Sequence, residues 1–220
     1  MKKKIISTLI FSILVLIGLI YISNYDYLLN AVSKIYFKGH TTAYIDDFKQ
    51  FDNNILSPSK NPQVWPNHEK YNSITLPKAL EAHHKKTQTT AFVIIKNDSI
   101  YFEKYYDGYG PESKSNSFSV AKSYVSALLG KAIMQGYIKG LDQRVKDFIP
   151  DLKGLYANEV TVGDLASMAS GQKWDEAYYS PFSVTTAAYF IKDLDKLILN
   201  QPIDEKPGKK YIYKSGTTQL

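Results

Sequence analysis

The 220-residue sequence contains no cysteine. Neither a disulfide framework nor a thiolate metal site is therefore possible, and the redox compartment must be read from something else. The four histidines, His40, His68, His83 and His84, show no metal-ligand spacing. The adjacent pair His83-His84 would point to different sides of a helix, so metal catalysis is not expected. No glycine-rich phosphate loop or dinucleotide fingerprint is present, and no cofactor is called for. Charge of one sign is also scarce. The net charge is +6, but Lys2, Lys3 and Lys4 supply half of it, and the remaining excess is too small for a nucleic-acid footprint. What is present is 44% apolar and 14% aromatic residues, enough to bury a real core in one domain with an appendage.

The appendage comes first. Residues 5–22, IISTLIFSILVLIGLIYI, are uncharged. As a helix they would measure roughly 27 Å, close to the thickness of a bilayer's hydrocarbon core. A cleaved signal peptide has a shorter apolar stretch and a small-residue cleavage site, whereas this run leads into the bulky YISNYDYLLN, so an uncleaved signal anchor is expected. A buried core helix would show a polar face, and this run has none. The lysines before it define a cytoplasmic basic flank, residues 1–4, and the positive-inside rule sends everything after the anchor outward. The expectation is a single-pass membrane protein, held to the membrane by its N-terminal helix, with its catalytic portion extracytoplasmic, in the periplasm or at the cell exterior.

Residues 23–85 read as a juxtamembrane tether, mostly loop and broken by Pro58, Pro62, Pro66 and Pro77, with a short helix in PKALEAHHKK. A globular domain is expected over residues 86–220. AFVIIKN and SIYFEKYY around Asn97-Asp98 predict a β-hairpin. Residues 120–135 predict a central buried helix stopped by Gly136. DQRVKDFIP predicts a short helix ending before Pro150. TVGDLASMASG predicts another, with Thr161 as N-cap, Asp164 in the first turn and Gly171 as C-cap. One further helix is expected from Thr185 to Leu199, before the turn EKPGKK.

Ser119 and Lys122 stand three residues apart at the start of the expected central helix, so their side chains share a face. A serine hydroxyl is a weak nucleophile until a neighbour takes its proton, and a lysine buried near a helix N-terminus is expected to have a lowered pKa. The backbone N–H of Ser119 could donate to a developing oxyanion. The spacing alone does not decide, because Ser57 and Lys60 repeat it in a proline-broken polar stretch. An ordinary N-cap serine is the competing account of Ser119.

The segment SFSVAKSYVSALLGKAIMQGYIKGLDQRVKDFIPDLKG followed by TVGDLASMASG resembles the serine β-lactamase and penicillin-binding-protein-like hydrolases, nearest the class C-like branch of esterases and 6-aminohexanoate-dimer hydrolases. The matching positions after the nucleophile helix are Gly136, Ile138, Leu141, Asp142, Pro150, Thr161, Ser170 and Gly171. The resemblance implies an α+β fold, a β-lactamase-like antiparallel sheet flanked by helices with a helical insert. It also implies that Ser119 is the catalytic nucleophile with Lys122 beside it, acting by acyl-enzyme chemistry without a cofactor on a small-molecule amide or ester. Pro207-Gly208 followed by Tyr211-Ile212-Tyr213-Lys214-Ser215-Gly216 is similar to the family's second motif, and Tyr213 inherits proton transfer from it. Ser215 stands where most relatives carry asparagine, which counts against a β-lactamase proper and implies a substrate-binding role with small amides or esters. The resemblance further lets Trp174 and Tyr178, with Asp175 and Tyr179, line the pocket mouth, although a packing role fits them equally; Tyr213 could likewise be one more strand aromatic.

The family's third motif, Lys-Ser/Thr-Gly on a later strand, has no counterpart, since Lys214-Ser215-Gly216 is read as an accident of overlap. Aligned with the family, the domain is expected to be incomplete at the C-terminus, with an unpaired apolar sheet edge. Two alternatives accompany the hydrolase reading: a penicillin-binding or peptidoglycan-processing protein, and a non-catalytic truncated remnant.

Overall fold

The computed structural model describes residues 2–220. In chain order it contains α1 (Lys2–Ile22), α2 (Tyr27–Lys34), α3 (Lys78–Lys86), β1 (Ala91–Lys96), β2 (Ser99–Tyr105), α4 (Ala121–Met134), α5 (Val162–Ala166), α6 (Val184–Phe190), α7 (Leu194–Leu199) and α8 (Ser215–Gln219). Contacts gather these elements into two compact units. One comprises the chain up to Tyr44 together with Ser117–Leu220, the other Ile45–Asn116.

The smaller unit is a helix laid against an antiparallel hairpin. β1 and β2 pair from Ala91–Tyr105 to Lys96–Ser99, with an irregularity at Ile94/Ile95. The connecting Asn97 and Asp98 have φ of +50° and +54°. Two consecutive left-handed residues make the turn that matches strand twist, and Asn and Asp tolerate it best after glycine. α3 is tied to the hairpin at its polar edge, where Lys104 Nζ meets Glu81 Oε1 at 2.5 Å. Its buried His84 lies 2.8 Å from the Tyr106 hydroxyl and packs its ring on Phe92.

The larger unit holds its core at the far end of the predicted motif series. Val145, Leu152, Ala157, Val160 and Ile203 are buried together, with Ile149, Tyr156, Leu165 and Leu220 packed around them. Of the signals expected here the Thr161 cap is present, whereas Gly171, expected as the C-cap of this helix, lies beyond it, since α5 ends at Ala166 with Ser167 as its C-cap. Thr161 and Asp164 form a reciprocal capping box at the start of α5. Gly171 adopts φ +71°, and a Cβ there would lie 2.0 Å from the Glu205 carbonyl oxygen, so only glycine fits. α5 is shorter than expected, with five residues.

Two expectations are corrected. The helix expected from Thr185 to Leu199 is two helices. Ile191 leaves the helical region at ψ 150°, and the Asp193 side chain accepts from Lys196 N to cap α7, as Ser183 caps α6 by accepting from Thr186 N. A short polar residue read as helix interior is thus a new N-cap. The second correction concerns α4, which was expected to be the central buried helix and has no buried residue. Its apolar positions are real, yet Leu128 stays 68% exposed, because among the described residues nothing packs on that side. Val125 and Leu129 line a cavity of about 340 Å³ together with Val145, Leu165 and Leu220.

α1 is one continuous helix, apolar and long enough to cross a membrane, with no part of the span buried. After it, within the stretch expected to be tether, α2 packs on α6. Tyr27 donates to the Pro181 carbonyl at 2.9 Å and Asn30 to the Phe190 carbonyl at 3.1 Å, while Tyr27, Ala31 and Ile35 are buried.

Candidate active site

Ser119 lies in a 3-10 turn, Phe118–Val120, that runs directly into α4. Phe118 has φ +44°. A bulky residue in the left-handed region is strained by an order of about 1–3 kcal/mol, and such strain persists where surrounding structure fixes the geometry. The turn exposes Ser119, and one helical turn later Lys122 reaches back so that its Nζ lies 3.2 Å from Ser119 Oγ.

The third group arrives from a distant segment. Between Lys210 and Ser215 the chain forms neither helix nor paired strand, Lys214 has extended backbone, and burial alternates, with Tyr211 and Tyr213 exposed, Ile212 half-buried and Lys214 buried. Ile212 N donates to the Met168 carbonyl at 2.9 Å, and the buried Lys214 side chain donates to the Gln172 carbonyl. Burial holds the Lys214 ammonium below the usual lysine range, partly offset by the charge of Glu205. With that side anchored, Tyr213 projects the other way and its hydroxyl donates to Ser119 Oγ at 2.7 Å. Lys122 Nζ also sits 5.1 Å above the Tyr213 ring and 3.1 Å from Ser215 Oγ, at the first residue of α8. Ser119, Lys122, Tyr213 and Ser215, expected together from their motifs, are together.

Trp174 and Tyr178 meet this group through a residue the sequence reading passed over. Glu176 accepts from Trp174 Nε1 at 2.7 Å, from Ser215 N at 2.7 Å, from Ser215 Oγ at 2.6 Å and from the Tyr178 hydroxyl. Burial pushes its carboxyl up, but these donors, the Ser215 backbone and hydroxyl first among them, outweigh that and hold it below the usual glutamate range. Loss of hydration and the bond to Glu176 push the Tyr178 phenol up to about 12, although a hydrogen bond to Ser215 acts against them. The Tyr178 ring remains exposed, as does Tyr179, while Asp175 accepts from Ala177 N. Trp174 is placed by glycine. A Cβ on Gly216 would stand 2.3 Å from the indole ring, so the ring lies flat on the first turn of α8. No sequence signal marks Glu176, one acidic residue beside Asp175 in a segment that forms neither helix nor strand.

The hydrogen-bond inventory fixes directions. The Ser215 hydroxyl has one proton, and an ionised Glu176 can only accept it, so Ser215 Oγ must accept from Lys122. Lys122 is thereby held between two hydroxyl oxygens, one of them Ser119 Oγ. Such a cluster can take a proton from a serine hydroxyl and return it to a leaving group. Among the described residues no group of His, Asp or Glu could hold a metal ion.

The Beta-lactamase family profile matches residues 77–220, and the chain belongs to that family. Among curated proteins, the 6-aminohexanoate-dimer hydrolase of Paenarthrobacter ureafaciens is 28% identical over 104 residues, which is 47% of this chain and 26% of that protein. A solved structure from Bacillus anthracis, provisionally assigned as a 6-aminohexanoate-dimer hydrolase, superposes with a TM-score of 0.53 at 19% identity, covering 75% of this chain and 46% of that one. The fold is thus β-lactamase-like, and the chain spans less than half the length of either relative.

Proposed function

We propose that the protein is a serine hydrolase acting by acyl-enzyme chemistry on an amide or ester, anchored to a membrane by α1 with the catalytic unit on the extracytoplasmic side. The observation that carries the reading is the placement of Ser119 Oγ within hydrogen-bond reach of both Lys122 Nζ, at 3.2 Å, and the Tyr213 hydroxyl, at 2.7 Å. A structural N-cap serine needs neither. Its side chain would instead accept from a backbone N–H of the first turn, whereas the N-cap residue of α4 is Val120 and the bonds of Ser119 Oγ go to Lys122 and Tyr213.

In this mechanism the Lys122–Tyr213 pair starts with one proton fewer than an ammonium and a phenol together, and Ser119 Oγ attacks the carbonyl carbon while its proton passes to that pair. That pair delivers the proton to the departing amine or alcohol, leaving an acyl ester on Ser119. Water then attacks the ester, gives a proton to the same pair, and the acid leaves as Ser119 recovers its hydrogen. The Ser119 N–H, at the start of the turn, donates to the oxyanion. Ser215 and Glu176 hold Lys122 in line. The 6-aminohexanoate-dimer hydrolase likeness supports an amide substrate.

The proposed domain plan follows the sequence reading: a cytoplasmic flank at residues 1–4, an anchor at 5–22, a juxtamembrane segment at 23–85 and the hydrolase domain at 86–220. The packing of α2 on α6 brings the start of the juxtamembrane segment into the hydrolase unit. The test is labelling with a fluorophosphonate and mapping of the adduct by mass spectrometry. The wild-type chain should be labelled at Ser119 and Ser119→Ala should not; equal labelling of the two would overturn the assignment.

A further inference from the structure

Beside the nucleophile lies a cavity of about 730 Å³, within the range of small-molecule sites. We propose that it binds a single long alkyl or acyl chain, so that the substrate is an amphiphilic ester or amide drawn from a membrane. This deepens the hydrolase reading and rests on it.

The chemistry of the walls selects the ligand. α2 contributes Leu28, Ala31 and Val32, α6 contributes Tyr189 and Phe190, and among the described residues no Asp, Glu, Lys, Arg or His lines the cavity. A charged ligand would enter without a counter-ion, at a cost of several kcal/mol by the general penalty for burying ions. The threonine hydroxyls on the α6 side are committed elsewhere, Thr185 to the Asp175 carbonyl at 2.7 Å and Thr186 to the Ser180 carbonyl at 2.8 Å. The other polar side-chain groups of the lining are the hydroxyls of Thr41, Thr42 and four tyrosines, set in otherwise apolar walls that favour hydrocarbon.

The position of the cavity sets which end of the ligand reacts. Phe118, whose left-handed backbone turns the chain, lines the cavity, and the next residue is Ser119. Tyr178 also lines it, while its hydroxyl is bound to Glu176. A chain seated between α2 and α6 ends beside Phe118, the residue before Ser119, and in this proposal its carbonyl end reaches the nucleophile from there. The source of such a chain is indicated by α2 itself, which begins five residues after the membrane-length helix ends. Around that junction Tyr25 packs edge-on against Phe182 at 5.4 Å, and Phe182 remains 62% exposed. Exposed aromatics beside the end of a span suit the bilayer interface, where amphiphiles are found.

The experiment uses the full chain in lipid vesicles and in detergent, with a series of n-alkyl fluorophosphonates from ethyl to dodecyl. The rate of Ser119 labelling should rise about three- to fourfold per added methylene over the first several carbons, the worth of burying a methylene. Ala31→Trp, which narrows the cavity, should flatten that slope. Dodecyl reagent already in the vesicle membrane should label faster than the same reagent presented as monomer; equal rates would overturn membrane supply. Binding of 11-(dansylamino)undecanoic acid is measured in parallel, with saturable binding weakened tenfold or more by Ala31→Trp. Labelling without chain-length dependence, and no dansyl binding, would overturn the chain site and leave the hydrolase reading intact. Saturable dansyl binding without labelling would do the reverse.

Discussion

Two clusters meet at Ser215 and differ in almost every respect. Ser119, Lys122 and Tyr213 sit on the exposed start of α4 and on the segment before α8, and Ser119 and Tyr213 are open to solvent. Trp174, Glu176 and Tyr178 come from an irregular loop, and their polar atoms converge on one carboxylate that holds four hydrogen bonds. The first cluster has the reach for chemistry but little packing to hold it. The second has the partners to hold a geometry but no contact with Ser119. Motif residues and the residues that make a motif work are recruited from different local structures, joined here by the hydroxyl of Ser215.

The largest effect that would break this division is in the first cluster. Lys122→Ala should lower the rate of Ser119 acylation by roughly 100-fold or more, the range of general-base contributions. A variant within a fewfold of wild type would make the lysine structural. Glu176→Gln should cost about tenfold or more, because an amide nitrogen replaces an oxygen that several donors now face, and hydrogen bonds to a charged group are worth about 1.5–3 kcal/mol. A role confined to stability would give the same loss in any background. A role through Ser215 would not: in a Ser215→Ala background the Glu176→Gln effect on rate should largely disappear, which a double-mutant cycle measures. Smaller again, Gly216→Ala places a Cβ inside the indole of Trp174. It should destabilise the unit by about 1–3 kcal/mol, as overpacking does, read as a lower midpoint in denaturant with unchanged slope.

The same contrast explains what could be read from the sequence. Ser119 with Lys122, and Tyr213 with Ser215, are legible through the motifs that resemble a known family, since the Ser-x-x-Lys spacing alone is repeated at Ser57 and Lys60. The hairpin turn at Asn97-Asp98, the Thr161 cap and Gly171 are legible because backbone conformations there admit few residue types. The burial of α4 was not, since an apolar helix pattern states what a face could pack against and not whether anything is there. The break before α7 was missed because Asp193 has the same letter as a helix interior and as a cap, and only the path of the backbone distinguishes them. Glu176 carries no periodic signal, being one acidic residue beside Asp175 in a loop. Its role comes from Ser215, 39 residues later, and from a glycine that makes room for Trp174.

The smallest expected effect separates the clusters by pH. Glu176 is held below its ordinary value near 4.5 when folded, so the folded state prefers its ionised form. Its contribution to stability is then fully present above that ordinary value and is lost as pH falls through the lower, folded one. Glutamine does not titrate. The melting temperature of wild type should therefore exceed that of Glu176→Gln at neutral pH, and the gap should narrow as pH is lowered from about 5 towards 3. A gap that stayed constant over this range, measured by thermal unfolding at matched ionic strength, would mean that the carboxylate charge does not hold the hub. Shape and packing of Trp174 on Gly216 would then be what positions Ser215 for Lys122.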